Sequence, residues 1–341
     1  MRQRGTRLSS HVPHDPLYSL LREMVLAAGM IGILVLGLYA HTGSMPPLVV
    51  VESSSMIHEE NGEVGSIDAG DLVLVHRQPM ETVITFAEAS NPSHPNFGYE
   101  QHGMAGDVII YDKNGEGGTP IIHRAILEVV AHTTQTPNRS VAQDAPSNEH
   151  CPDGGSFDDA LLDEDGQIGT CIMTWNVPGT NVVNATTISL AFDGDEAGYY
   201  DCKRLAHANV EPYLVVWNWT PSQEGMLTLG DNNHCSVDQG SSAVNGSVGV
   251  HSASGVVKPV RDSWLIGVAG GELPWLGTVK LALNTAPGSP GTVYVPNSSY
   301  LALFVLVTAV LAAPLVLEPV LRRLVVGAPE LKLAEDELEE E

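Results

Sequence analysis

The chain has 341 residues, 43% of them apolar, with 41 acidic against 16 basic side chains and a formal net charge of −25. A chain this acidic repels phosphate, which argues against a nucleic-acid partner, and its length suffices for one or two domains with a proper core. An acidic surface favours solubility and fits a salty setting.

The first element in chain order is an uncharged apolar run, Met24–Ala40. Its length just crosses a hydrocarbon core of about 30 Å at about 1.5 Å per residue. The exit, His41-Thr42-Gly43-Ser44-Met45-Pro46-Pro47, lacks the small-x-small pattern of a cleaved leader. A retained span over 24–42 is expected. A second uncharged run, Tyr300–Leu317, predicts a span over 300–318, kinked at Pro314. Arg2, Arg4, Arg7 and Arg22 precede the first run, and Arg322, Arg323 and Lys332 follow the second. The excess of basic residues at both ends predicts that 1–23 and 319–341 are cytoplasmic and that 43–299 lies outside the plasma membrane. The acidic tail Glu335–Glu341 reads as a solvated end.

The middle segment carries every N-x-Ser/Thr sequon (Asn138, Asn184, Asn218, Asn245, Asn297) and all four cysteines, Cys151, Cys171, Cys202 and Cys235. An even cysteine number in an oxidising compartment suggests disulfides rather than metal ligands, and the pairing stays open. The segment reads as β: Leu48–Val51, Leu72–His76, Val108–Tyr111, Ile121–Glu128, Met226–Leu229 and Val279–Leu283 are short apolar or alternating runs bounded by Gly, Pro, Asn and Asp. From about 132 to 218 the chain turns polar and holds three of the cysteines. This reads as an insertion, partly a small β-rich subdomain stapled by disulfides, with a strand-like run at Ala185–Phe192.

Soon after the first run comes Val51-Glu52-Ser53-Ser54-Ser55-Met56-Ile57-His58. A serine needs a base to take its proton, and the base needs an orienting group. His123, in Thr119-Pro120-Ile121-Ile122-His123-Arg124, is the best-framed histidine; His58, His76, His94, His102 and His132 sit in loops or at strand ends. Lys113, in a turn, offers the rival Ser/Lys dyad. The third polar centre is Leu229–Gln239, which contains Asp231 and Asp238 and also reads as an Asx-rich turn.

A series of boxes stands in order: Ser-x-Ser-Met (Ser53–Met56), Gly70-Asp71 and Gly106-Asp107 each before an apolar strand, Ile122-His123-Arg124, Gly230-Asp231-Asn232-Asn233, and Leu265–Gly270 running into Leu273-Pro274-Trp275-Leu276-Gly277. Together they resemble type I signal peptidases of the archaeal and endoplasmic-reticulum branch, over roughly 40–130 and 225–280. The resemblance implies a mainly β fold: a signal-peptidase-type antiparallel β catalytic domain between two transmembrane helices. It implies a membrane-bound serine endopeptidase that removes signal peptides from secretory preproteins at the bilayer, beside the translocon, with no cofactor. Ser55 matches the nucleophile, His123 the general base, and Ser53 a hydroxyl that helps bind the oxyanion. Asp238 is the favoured partner of the base. Asp231 then structures its turn or supports the site electrostatically. Met56 and Arg124 give substrate or structural support, Arg124 by neutralising nearby acid or positioning its strand. Two departures stand out: Ser54 replaces an expected glycine, and Ile57-His58-Glu59-Glu60 with a longer loop replaces a Glu-Pro pair after Met56. A non-catalytic surface module on a degenerate peptidase core, and a processing peptidase for a narrow substrate, are the alternatives.

Overall fold

The computed structural model describes residues 16–58, 62–135, 159–162, 168–203, 212–284 and 291–326. Arg2, Arg4, Arg7, Glu59, Glu60, Asn138, Cys151, Lys332 and the acidic tail lie outside the described residues.

Two long helices flank the chain, α1 (Pro16–Thr42) and α4 (Asn297–Val326), and a short one, α2 (Phe86–Ser90), follows the second strand. Leu20–Thr42 and Asn297–Leu315 are long and apolar enough to cross a membrane, and their side chains are almost wholly uncovered by protein. Burial against the rest of the chain therefore does not account for their hydrophobicity. The second helix runs on through Pro314.

Between them lies an antiparallel sheet. Its strands are β1 (Leu48–Val50), β2 (Leu72–His76), β3 (Val108–Tyr111), β4 (Ile121–Gln135), β5 (Asp159–Leu162) and β6 (Ile168–Asn176). A separate pair is formed by β7 (Ile188–Ala191) and β8 (Val215–Trp219), and the main sheet is completed by β9 (Gly225–Leu229) and β10 (Leu265–Leu273). The spatial order is β1-β2-β10-β3-β4-β6-β5, with β9 also on β4. Val108-Ile109-Ile110-Tyr111 is buried on both faces, which is why this short strand reads as a continuous apolar run rather than an alternation. On β2, Val73 and Val75 point inward and their neighbours are half-buried, the period of two expected of a strand.

β4 is the organising strand. Residues 121–124 pair with β3, 124–129 with β9 and 130–135 with β6. The expected insertion boundary near 132 thus falls inside a strand, and β6 and β5 extend the main sheet rather than starting a separate one. Trp175, Phe192, Tyr200 and Trp219 from 168–219 share one buried cluster with Phe86, Leu227 and Leu229. Each such side chain contributes roughly 1.5–3 kcal/mol by burial, so the inserted region and the main sheet stabilise each other. The disulfide Cys202–Cys235 joins this region to the loop after β9, instead of closing on itself.

The expected strand at Val279–Leu283 is a helix, α3 (Gly277–Leu283). Val279, Leu281 and Leu283 alternate in sequence, but the chain buries Thr278 and Leu281, three apart, against Ala69 and Val295. The i, i+3 spacing of a helix overrides the apparent alternation. The Arg77 N–H donates to the Thr42 carbonyl at the end of α1, and Val295, just before α4, packs on Leu281.

Candidate active site

Ser55 lies in the loop after β1, His123 near the start of β4, and Asp238 in the loop after β9. The Ser55 hydroxyl donates to His123 Nε2 at 3.0 Å. His123 Nδ1–H donates to Asp238, 2.7 Å from Oδ2 and 2.9 Å from Oδ1. A carboxylate accepts only, so Nδ1 carries the proton and Nε2 is left with its lone pair towards the serine. His123 is 4% exposed and Asp238 fully buried.

Strand parity separates the two aspartates. Neighbours on β4 face opposite sides of the sheet. His123 faces the side of Ile109, Tyr111 and Thr228, and Arg124 the side of Met56 and Asp231. Asp238 Oδ2 also accepts the Tyr111 hydroxyl and the Thr228 hydroxyl, both at 2.6 Å. Burial, the Asp238 charge and that hydrogen bond push the Tyr111 phenol well above its usual range, so it stays a donor. On the other side Arg124, wholly buried, grips Asp231 through Nε (2.9 Å) and Nη2 (2.7 Å). Its Nη1 donates to the carbonyls of Gln101 and Gly106 in the loop before β3. Burial alone would raise the Asp231 pKa; the Arg124 charge, with hydrogen bonds from His58 and Arg124, overrides it and holds the carboxyl well below the usual range.

The expected Ser55, His123 and Asp238 are therefore brought together. Asp231 and Arg124 form a buried ion pair on the opposite face of β4. Ser53 Oγ stands 3.1 Å from Ser55 Oγ. Met56 is buried under the loop, with its sulfur accepting the Asp231 N–H at 3.5 Å. Ser54 keeps a negative φ, so no glycine is needed there; its carbonyl accepts the Ile57 N–H and the Asn232 side-chain amide. Lys113 lies in a short turn whose Asn114 amide donates to Ser252 and Val256, and no contact between Lys113 and Ser55 appears among the described residues.

Gly230 explains its own identity. A Cβ there would lie 2.7 Å from His123 Nε2 and 2.8 Å from the Ser55 carbonyl oxygen. Only glycine lets the loop after β9 close over the serine and imidazole. The next contact repeats the theme: the Asn232 N–H donates to the Ser55 carbonyl at 2.7 Å. The aspartates of the two Gly-Asp boxes hold loops. Asp71 accepts the N–H groups of Asp68 and Trp275, and Asp107 those of Ile84 and the Tyr99 hydroxyl.

Tyr111 and Thr228 are absent from the sequence reading of the site, and His58 entered it only as a competing loop histidine. The signal for Tyr111 was its polar tip at the end of an otherwise apolar buried strand. Thr228 carried no signal beyond its place in β9. His58 donates Nε2–H to Asp231 Oδ2 at 2.8 Å.

A cleft of about 690 Å³ opens over Ser55. Val50 and Val51 from the β1 side, Ile121 and Ile122 from β4, and Tyr294 are among its lining residues. β1 is the last strand of the sheet, and residues 121–123 pair on one side only, so both flanks offer strand edges without a sheet partner among the described residues. Such edges accept an extended chain by backbone hydrogen bonds. Chemically, a hydroxyl donating to a buried imidazole that is backed by a carboxylate can be deprotonated as it attacks a carbonyl. No family model, no curated protein and no solved structure matches this chain.

Proposed function

We propose that the protein is a membrane-anchored serine endopeptidase of the signal-peptidase I type, acting on secretory preproteins outside the plasma membrane. The observation that carries this reading is the hydrogen-bonded series Ser55–His123–Asp238 at the floor of a cleft between two open strand edges. The substrate's extended segment adds beside β1 and presents its scissile carbonyl to Ser55. As Oγ attacks, its proton passes to His123 Nε2, and the Oγ–carbon bond forms. Ser53 Oγ and the Ser55 backbone N–H donate to the developing oxyanion. The imidazolium then gives the proton to the leaving amine as the peptide bond breaks. Water, deprotonated by His123, releases the signal peptide from Ser55. The two apolar helices hold the serine where a membrane-bound substrate emerges, raising its effective concentration.

The test compares wild type, Ser55→Ala and His123→Ala on a preprotein in detergent. Cleavage by wild type alone is expected. Equal processing by all three proteins, or by none, overturns the reading.

A further inference from the structure

The loop that carries Ser55 has few restraints of its own. Ser53 is exposed, Ser54 and Ser55 are half-buried, and Met56 alone is sunk into the core. The Ile57 N–H closes a tight turn on the Ser54 carbonyl at 3.3 Å, so Ser55 sits inside a turn that ends at Ile57, next to His58. Asn232 pins the near end through the carbonyls of Ser54 and Ser55.

What pins the far end is a side chain. His58 reaches across to Asp231, which is 1% exposed and already held by two nitrogens of Arg124. Because the carboxylate only accepts, His58 Nε2 carries the proton. The His58 ring lies against Gly103 of the Gln101–Gly106 loop, where an added Cβ would come within 3.0 Å of Nδ1. Arg124 grips that same loop by its carbonyls. His58 therefore plugs the nucleophile's loop into an assembly fixed by two other parts of the fold. Arg124 already balances the Asp231 charge, so a neutral His58 suffices as a donor.

We propose that His58 is a positioning residue of the Ser55 site, acting through Asp231 to hold Ser55 Oγ within hydrogen-bonding reach of His123. This rests on the peptidase reading above. The claim is distinct from a packing role, because Asp231 keeps Arg124 as its partner when His58 is removed. The fold stays intact while the turn carrying Ser55 gains freedom. Reaction rates fall steeply with small misplacements of the attacking atom, on the order of 10²-fold for about 1 Å.

The experiment uses the full chain in detergent with three proteins: wild type, His58→Ala and His58→Gln. Each is assayed for kcat and KM on a preprotein, for the rate of Ser55 labelling by a fluorophosphonate (the Oγ–phosphorus bond forms and fluoride leaves), and for Tm. His58→Ala is expected to lose about 10- to 100-fold in kcat and in labelling rate, with KM close to wild type because the cleft walls are untouched and Tm lowered only by the loss of one donor on Asp231. His58→Gln, whose amide can still donate to Asp231, is expected to recover most of the loss. Wild-type kcat and labelling in His58→Ala would overturn the inference. So would a His58→Gln protein as slow as His58→Ala, or a loss that falls on KM rather than on kcat. If wild type neither cleaves nor labels, the peptidase reading itself fails and this inference with it.

Discussion

At the residue scale, the decisive pair is His123 and Arg124. They are adjacent in sequence, yet parity along β4 turns them to opposite faces, each towards its own buried aspartate. The two aspartates should therefore fail in different ways. Asp238→Asn keeps the shape but removes the charge behind the imidazole, and kcat is expected to fall about 10³-fold or more with a modest change in Tm. Asp231→Asn leaves the fully buried Arg124 short of its counter-charge. A loss of about 3–5 kcal/mol in denaturant unfolding is expected there. Equal stability losses in the two variants would refute this division of roles. Tyr111→Phe removes one of the donors on Asp238 Oδ2 and should cost about 1.5–3 kcal/mol, the range for a hydrogen bond to a charged group, read by the same unfolding curves.

At the scale of elements, the loop after β9 matters most. It supplies Gly230, Asp231, Asn232 and Asp238, and it is stapled to the inserted region through Cys235. Gly230→Ala is predicted to abolish cleavage while leaving the far-ultraviolet spectrum unchanged. The added methyl would collide with His123 Nε2 and the Ser55 carbonyl rather than with core side chains. Normal kcat in this variant would show that the loop has room the geometry denies. The staple closes a 33-residue separation. On chain-entropy grounds a Cys202→Ala/Cys235→Ala protein should lose about 4 kcal/mol of stability relative to wild type. This element also shows where the inserted region acts. It buttresses the sheet through Trp175, Phe192 and Tyr200 and holds one end of the loop carrying Asp238.

At the scale of the whole molecule, charge sets the response to solvent. Burial, reinforced by the charges of Asp71 and Glu272, raises Asp68 to about 7; burial likewise raises Glu272 and Glu128 to about 7. In the folded chain these groups hold protons that the unfolded chain has released above about pH 4. Their contribution therefore favours the folded state increasingly as pH falls from about 7 towards 4. Asp231 works the other way, its stabilisation vanishing only at pH below the ordinary carboxylate range. A higher Tm at pH 5.5 than at pH 8 is expected, with a smaller difference in Asp68→Asn. An unchanged or opposite slope would contradict this accounting. The net charge of −25 adds self-repulsion that salt screens, so Tm should also rise between low and high ionic strength.

Several features could be read from the chain alone. Apolar length identified both candidate membrane helices, because a hydrocarbon-spanning helix requires an unbroken apolar run. Alternation and Gly-Asp punctuation located β2, β3 and β9 within a residue or so, and the ordered boxes pointed to Ser55 and His123, with Asp238 favoured over Asp231 as the partner of the base. Other features depended on contacts between segments distant in sequence. α3 mimicked a strand until its docking against Ala69 and Val295 chose the helical spacing. The partner change along β4, and with it the merging of the inserted region into the main sheet, came from pairings between segments distant in sequence, such as Val130 with Asn176. Tyr111, Thr228 and His58 entered the site because the sheet brought Tyr111 and Thr228 to Asp238, and the turn after Met56 delivered His58 to Asp231. Local pattern encodes how a segment meets water and lipid. Which polar groups share a buried carboxylate is decided only when the strands have paired.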